Sequence, residues 1–233
     1  MAVECASMSR GRMLRITKLN ECGAIVEGAG SSLVAKAFVS ATFTPNYAEV
    51  QEISVADANG DACVEDRSPV TLRWVDMSVV ICTLDPTMIN LITGDPLVLN
   101  DATPTPDTVG FRLDADLTGS ANFAIEFWSG IVGQSCDPGG FTKYGYWLFP
   151  WVKDAQWGEW VIQNDALTIT LTARAVYGGD WGVGPYDIRR NAATPATLEP
   201  LLTPIGATQP MHYEVTSAPL PTPACGAVTL TVP

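Results

Sequence analysis

Apolar positions in this chain recur mainly at every second residue in short runs, separated by Gly, Pro, Asn and Asp, which is the pattern of strands joined by turns. Residues 13–19 alternate, with Leu14, Ile16 and the stem of Lys18 on one side and Met13, Arg15, Thr17 and Leu19 on the other. Residues 20–23 then read as a turn, and 33–44 predict one long strand stopped by Pro45 and Asn46. Val50, Ile53 and Val55 alternate through 49–56, and Ala58-Asn59-Gly60-Asp61 is the strongest short hairpin signal in the chain. Further runs predict strands at 70–82, 109–113, 121–128, 145–152, 159–162 and 167–176.

One helix interrupts this pattern. Asp85 is a capping residue, Pro86 suits the first helical position, Met88, Leu91 and Ile92 share one face, and Gly94 ends the segment. So short a helix is unstable alone and must be pinned by packing on a sheet. From about Gly178 the composition shifts to Pro, Thr, Ala and Gly, which predicts an extended, strand-poor arm rather than another layer of core. The resulting organisation is an N-terminal arm at 1–11, a β core at 12–177 and a Pro-rich arm at 178–233, mainly β with one short flanking helix.

Composition narrows the class. Of 233 residues, 47% are apolar and 16% charged, with 25 acids against 13 bases and a net charge of −12. A disordered acidic tail is excluded because apolar groups are plentiful, and the 20 glycines and 17 prolines argue against a helical bundle. The acidic balance argues against a surface that clamps phosphates. The start is locally basic, with Arg10, Arg12, Arg15 and Lys18 against Glu4, yet these charges interrupt the apolar core that a secretory signal needs. No window has the length of uninterrupted apolar residues that a membrane helix requires, so no membrane insertion is expected.

Candidate chemistry is sparse. Six cysteines, from Cys5 to Cys225, form no C-x-x-C pair and His212 is the only histidine, so no metal site, cofactor or Cys/His dyad is expected. The cysteines are read as reduced, mostly buried thiols. Glu126, Glu159 and Asp165 lie near aromatic residues and could serve glycoside hydrolysis, but a chain with this many carboxylates produces such groups by chance. The aromatic stretch 144–151 alternates between Tyr144, Tyr146, Leu148 and Pro150 on one face and Gly145, Trp147, Phe149 and Trp151 on the other. Rings on both faces point to a strand buried on both sides, with Trp147 and Trp151 at core or subunit contacts. A carbohydrate-binding module presenting exposed Trp and Tyr platforms is the alternative. The stretch from Tyr47 to Asp66 holds Glu49, Glu52, Asp57, Asp61, Glu65 and Asp66 with no Lys or Arg. Ordinarily a solvated face, in a symmetric assembly it could dock on the basic start of a neighbour, making Arg10, Arg12, Arg15, Tyr47, Glu49, Glu52 and Asp57 candidate contacts.

Several strings, taken in order, carry a likeness: residues 15–23, the hairpin at 53–61 with Cys63, Asp85-Pro86 followed by 91–94, Phe127-Trp128-Ser129-Gly130, Tyr144 to Trp151, 181–187 and 200–205. In these the chain resembles the major tail tube proteins of long, non-contractile-tailed actinobacteriophages, over residues 12 to about 215. The resemblance implies a β-sandwich or barrel subunit, six of which form a ring, and rings that stack into a hollow tube around a tape-measure protein. It implies assembly in the host cytoplasm, a place in the virion tail, a tail terminator and distal tail proteins as further partners, and no enzymatic activity. Genomic DNA would pass through the lumen without specific binding. The residues add that 33–44 is polar on one side, at Lys36, Ser40, Thr42 and Thr44, as a wet channel wall would be.

Overall fold

The computed structural model describes residues 6–36, 38–115, 121–133, 136, 137, 139–160 and 167–231. Cys5, Asp165, the end of the strand expected at 159–162 and the terminal Pro233 lie outside the described residues. The chain is mainly β, with one short helix and one large antiparallel sheet. In order the elements are β1 (Ser7–Leu19), β2 (Gly28–Ala35), β3 (Phe38–Tyr47), β4 (Glu52–Ala56), β5 (Ala62–Arg67), β6 (Leu72–Ile81), α1 (Pro86–Thr93), β7 (Leu97–Leu99) and β8 (Thr108–Phe111). They continue with β9 (Asn122–Val132), β10 (Tyr144–Trp160), β11 (Ile169–Ala175), β12 (Arg189–Arg190), β13 (Leu198–Glu199), β14 (His212–Thr216) and β15 (Val228–Leu230).

The large sheet runs β15-β2-β1-β9-β10-β11-β6-β3, and β14 pairs with the first half of β10. Its pivot is the long β10, read from sequence as two separate strands. Residues 144–152 pair with β9 and the later residues with β11, and ladder irregularities fall at Phe149/Val152 and Lys153/Gln156. Asp154 takes a positive φ of 56° at this corner. A strand that changes sheets through bulges folds one large sheet onto itself. The half formed by β3, β6, β11 and the end of β10 thus packs on the half formed by β2, β1, β9 and the start of β10. Phe43 of β3 meets Phe127 and Phe149 at 5.4 and 4.5 Å between ring centroids, and Phe38 meets Phe127 at 5.5 Å.

The core between the halves holds Leu14, Ile16, Met77, Val79, Phe123, Ile125 and Leu171, with Met88, Ile89 and Ile92 of α1. The helix forms where the sequence places it: Asp85 Oδ1 accepts from the Thr87 and Met88 amides, and Gly94 adopts the left-handed conformation at φ 83°. The predicted 33–44 strand instead breaks after Ala35, and its halves go far apart in the sheet, as β2 beside the terminal β15 and as β3 at the opposite edge. Nor does Pro45 stop β3, which runs to Tyr47. A sheet tolerates proline on an edge strand, where the missing N–H has no partner to lose.

The Pro-rich C-terminal segment corrects a further expectation. It is not an arm without core: Trp181, Ile188, Leu201 and Ile205 are buried against Met13, Ala124, Trp128, Tyr146 and Leu148 on the other face of β1, β9 and β10. Isolated apolar residues anchored between turns build this layer, so no periodicity announces it. Its last residues follow the edge of β2, with the Ala224 amide donating to the Val34 carbonyl, the Gly226 amide to Asp85 Oδ2 and the Ala227 amide to Thr87 Oγ1. Burial acts to raise the Asp85 carboxyl, but hydrogen bonds from the Thr87 hydroxyl and from the Gly226, Thr87 and Met88 amides outweigh it and hold the group below its ordinary value. At the other end, β1 begins at Ser7 and takes in residues 7–11 of the expected N-terminal arm.

Candidate assembly surfaces

The charge pairing nearest to chemistry in this molecule is internal. Arg15 of β1 and Glu126 of β9 are opposite one another in the ladder and both buried; Arg15 Nε and Nη2 donate to the two carboxylate oxygens, the second at 2.6 Å. The Tyr146 hydroxyl donates to Glu126 Oε1 at 2.5 Å. Tyr186 of the C-terminal layer lies over the guanidinium at 3.2 Å from its ring centroid, and its hydroxyl bonds Ser32 at 2.8 Å and Thr17 at 2.9 Å. Burial acts to lower the Arg15 pKa, but the Glu126 charge and hydrogen bonds outweigh it and leave the group above its ordinary value. Burial and the neighbouring Glu126 raise Tyr146 well above the usual phenol range. Arg15 is therefore committed inside its own chain, which corrects its assignment as a docking residue. Glu126 is likewise spent on this pair and faces no cleft, while Glu159 is exposed at the end of β10.

The two tryptophans also have intramolecular partners. Trp147 is half-buried, donates to Ser129 Oγ at 3.2 Å and packs on Tyr213 with centroids 4.5 Å apart. Trp151 donates to Asn122 Oδ1 at 2.9 Å and packs against Gly23, Gly178 and Gly179. The irregularity after Phe149 puts Trp151 on the face of Tyr146 and Leu148, not on that of Trp147 as strict alternation predicts. The face that carries Tyr146, Leu148 and Trp151 is covered by the same chain's C-terminal layer. The five described cysteines are exposed rather than buried, because they stand in turns, at strand ends and on a protruding hairpin. No group of three or more potential metal ligands occurs among the described residues, and none of their helices is long and apolar enough to cross a membrane.

Three surfaces remain. The first is the hairpin β4–β5. The β3–β6 ladder continues into it, with the Ala48 amide donating to Thr71 O at 2.8 Å and the Ser68 amide to Gln51 O at 2.9 Å. All residues of both strands are exposed. Asp57 Oδ1 closes the turn by accepting from the Asn59 and Asp61 amides at 2.8 and 3.0 Å, and Gly60 supplies the positive φ of 90°. Register makes the ribbon amphipathic: Ile53, Val55, Val64 and Asp66 share one face, while Glu52, Arg67, Ser54 and Glu65 share the other. Ile53, Val55 and Val64 are 55%, 52% and 50% exposed. Tyr47 and the acidic candidates Glu49, Glu52 and Asp57 are all exposed on this ribbon or at its root.

The second surface lies at the far end of β3. Gly11 abuts the Phe38 ring, where a Cβ would overlap it, so Arg10 and Arg12 sit beside the first residue of β3 while the acidic ribbon leaves from the last. Roughly 30 Å of extended strand separates the two. Both arginines are exposed.

The third is the outer face of β3, β6, β11 and the end of β10. Ser40, Thr42, Thr44, Ser78, Thr172 and Gln156 project from it, opposite the core-facing Phe43, Met77, Val79 and Leu171. This face bounds a shallow trough of about 680 Å³. Among the described residues, neither the outer edge of β3 nor that of β10 beyond Val152 has a ladder partner. Sequence reading found the hydroxyls of β3 but not their counterparts on β6 and β11. Comparison with known proteins returns no match: no family model fits the chain, and no curated protein is significantly similar to it in sequence.

Proposed function

We propose that the protein is a structural, non-enzymatic tail tube subunit that assembles as six-membered rings stacked into a hollow tube. The observation that carries this reading is the four-stranded outer wall with an unpartnered edge on each side. Its order, β3-β6-β11-β10, is antiparallel throughout, so its two outermost strands run in opposite directions. Copies related by rotation bring β10 of one beside β3 of the next in antiparallel sense, and an even strand number lets the barrel close with every pair antiparallel. Ring closure removes edges that a lone subunit would have to guard. The hydroxyl-rich face then lines the lumen, wet and poor in cations, and a phosphate backbone slides along such a wall instead of sticking to it.

Stacking follows from the polarity of the long ribbon. An acidic, partly apolar hairpin at one end and exposed Arg10 and Arg12 at the other make a head-to-tail contact, which does not close and so yields a filament. In this reading the partners are further copies of the chain, a tape-measure protein in the lumen during assembly, a tail terminator and distal tail proteins at the two ends, and genomic DNA in passage. The location is the virion tail. Sedimentation of the pure protein across a salt series tests it. Large species that shrink as salt rises are expected, and Arg10→Gln with Arg12→Gln should weaken them further. A monomer at every concentration and salt would overturn the reading.

A further inference from the structure

The outer wall is not free of cations. Arg174 of β11 lines the trough, opposite Asp76 of β6 in the ladder, with its Nε 3.5 Å from Asp76 Oδ1. The same carboxylate oxygen accepts from the Trp74 indole at 3.0 Å, which fixes its position between the two partners. The Arg174 and Arg73 guanidinium carbons each lie 4.9 Å from the Trp74 ring centroid, and Arg73 is not among the residues lining the trough. Lys153, the cross-strand neighbour of Arg174 on β10, turns its amine over the Trp151 ring at 5.4 Å. With Asp76 and Asp154 as the carboxylates of the trough and Arg174 as its cation, its formal charge is slightly negative. The Arg174 and Asp76 side chains are 50% and 45% exposed, and a pair so exposed adds little to folding stability. Its consequence is electrostatic, at the surface.

We propose that Asp76 masks Arg174, keeping the wall from gripping the phosphates of duplex DNA; this rests on the reading that the face lines the channel. An uncovered guanidinium is well suited to bind phosphate, because its planar fork of donors matches two phosphate oxygens. Repeated in every copy of every ring, one such group would turn a passage into a sticky track, since phosphate contacts add up in affinity and in salt dependence. Asp76 lies beside the guanidinium at Nε and supplies the opposing charge, and the Trp74 indole holds the carboxylate in place.

Co-sedimentation of assembled protein with short fluorescent duplex DNA tests the proposal. Asp76→Asn keeps the shape and the acceptor for Trp74 but removes the charge. It should retain DNA at low salt about tenfold more than the wild type and release it as salt rises. Adding Arg174→Gln should return retention to the wild-type level. Thr42→Arg, which places an unmasked cation on the same face, serves as the reference, and Asp76→Ser replaces the amide variant should that fail to assemble. If Thr42→Arg retains DNA and neither Asp76 variant does, the masking is refuted while the channel face stands. If Thr42→Arg does not retain it either, the face is not the lumen and both readings fall.

Discussion

β9 and the hairpin β4–β5 are both made of alternating β-formers, yet one is buried along most of its length and the other is exposed at every residue. Phe123, Ile125 and Phe127 of β9 enter one core, and Ala124 and Trp128 enter the other. In the hairpin, Ile53, Val55 and Val64 face solvent, opposite a polar face, with only the β3–β6 ladder to support them. A two-stranded ribbon alone is marginal in water. Strand propensity is thus satisfied in both regions, but burial within the chain is achieved in one. The body contains its own stability, whereas the ribbon's apolar face stays about half exposed among the described residues; covering it fully would contribute roughly 1.5–3 kcal/mol per large apolar side chain.

The sharpest break in the body is at its buried pair. Arg15→Ala leaves Glu126 charged and without its guanidinium partner in the interior, and should lower unfolding free energy by about 4 kcal/mol in chemical denaturation. Arg15→Met combined with Glu126→Leu and Tyr146→Phe, which also removes the hydroxyl that would lose its acceptor, should recover most of that loss, because the cost arises from the uncompensated charge and not from the absence of a salt bridge. Trp181→Ala should cost about 3 kcal/mol, the cost of a core truncation, if residues 178–220 are a true layer. A loss below half of that would mark the segment as loosely applied.

Smaller effects follow at the helix cap and the ribbon. Asp85→Ala should cost about 1 kcal/mol. The Asp85 carboxyl lies below its ordinary 3.8 in the folded protein, so its contribution is present above that value and is lost as pH falls through the folded one. Asp85→Asn should therefore flatten the acid limb of the stability curve, and an unchanged limb would show that the cap does not govern it. Ile53→Ser with Val55→Ser should change monomer stability by less than about 0.5 kcal/mol, since both are more than half exposed and join neither core among the described residues, yet should abolish assembly. Equal assembly by this variant, measured by light scattering, would mean that the ribbon's apolar face has no partner.

Much of this was legible in the sequence, and the exceptions have physical reasons. The helix, the Asn59-Gly60 turn, β1 and the two-sided burial of β10 could be read because capping, turn chemistry and alternation are local signals. The corner in β10 could not, since ladder irregularities between Phe149 and Gln156 depend on the strand's partners. Trp151 therefore changed face against expectation. The second core was hidden because Trp181, Ile188, Leu201 and Ile205 are spaced by turns with no period. Arg15 looked like part of a basic surface patch, as its acid partner is far away in sequence at Glu126. The acidic ribbon and the hydroxyls of β3 were both readable as surface, but their placement against Arg10, Arg12 and the open edges required the fold.

Negative-stain imaging of the purified 233-residue chain at high concentration tests the central claim most directly. The account predicts rings with a central hole and six-fold symmetry, stacked into tubes of uniform width. A field of small, monodisperse particles with no hole, at all concentrations and at both low and high salt, would contradict it.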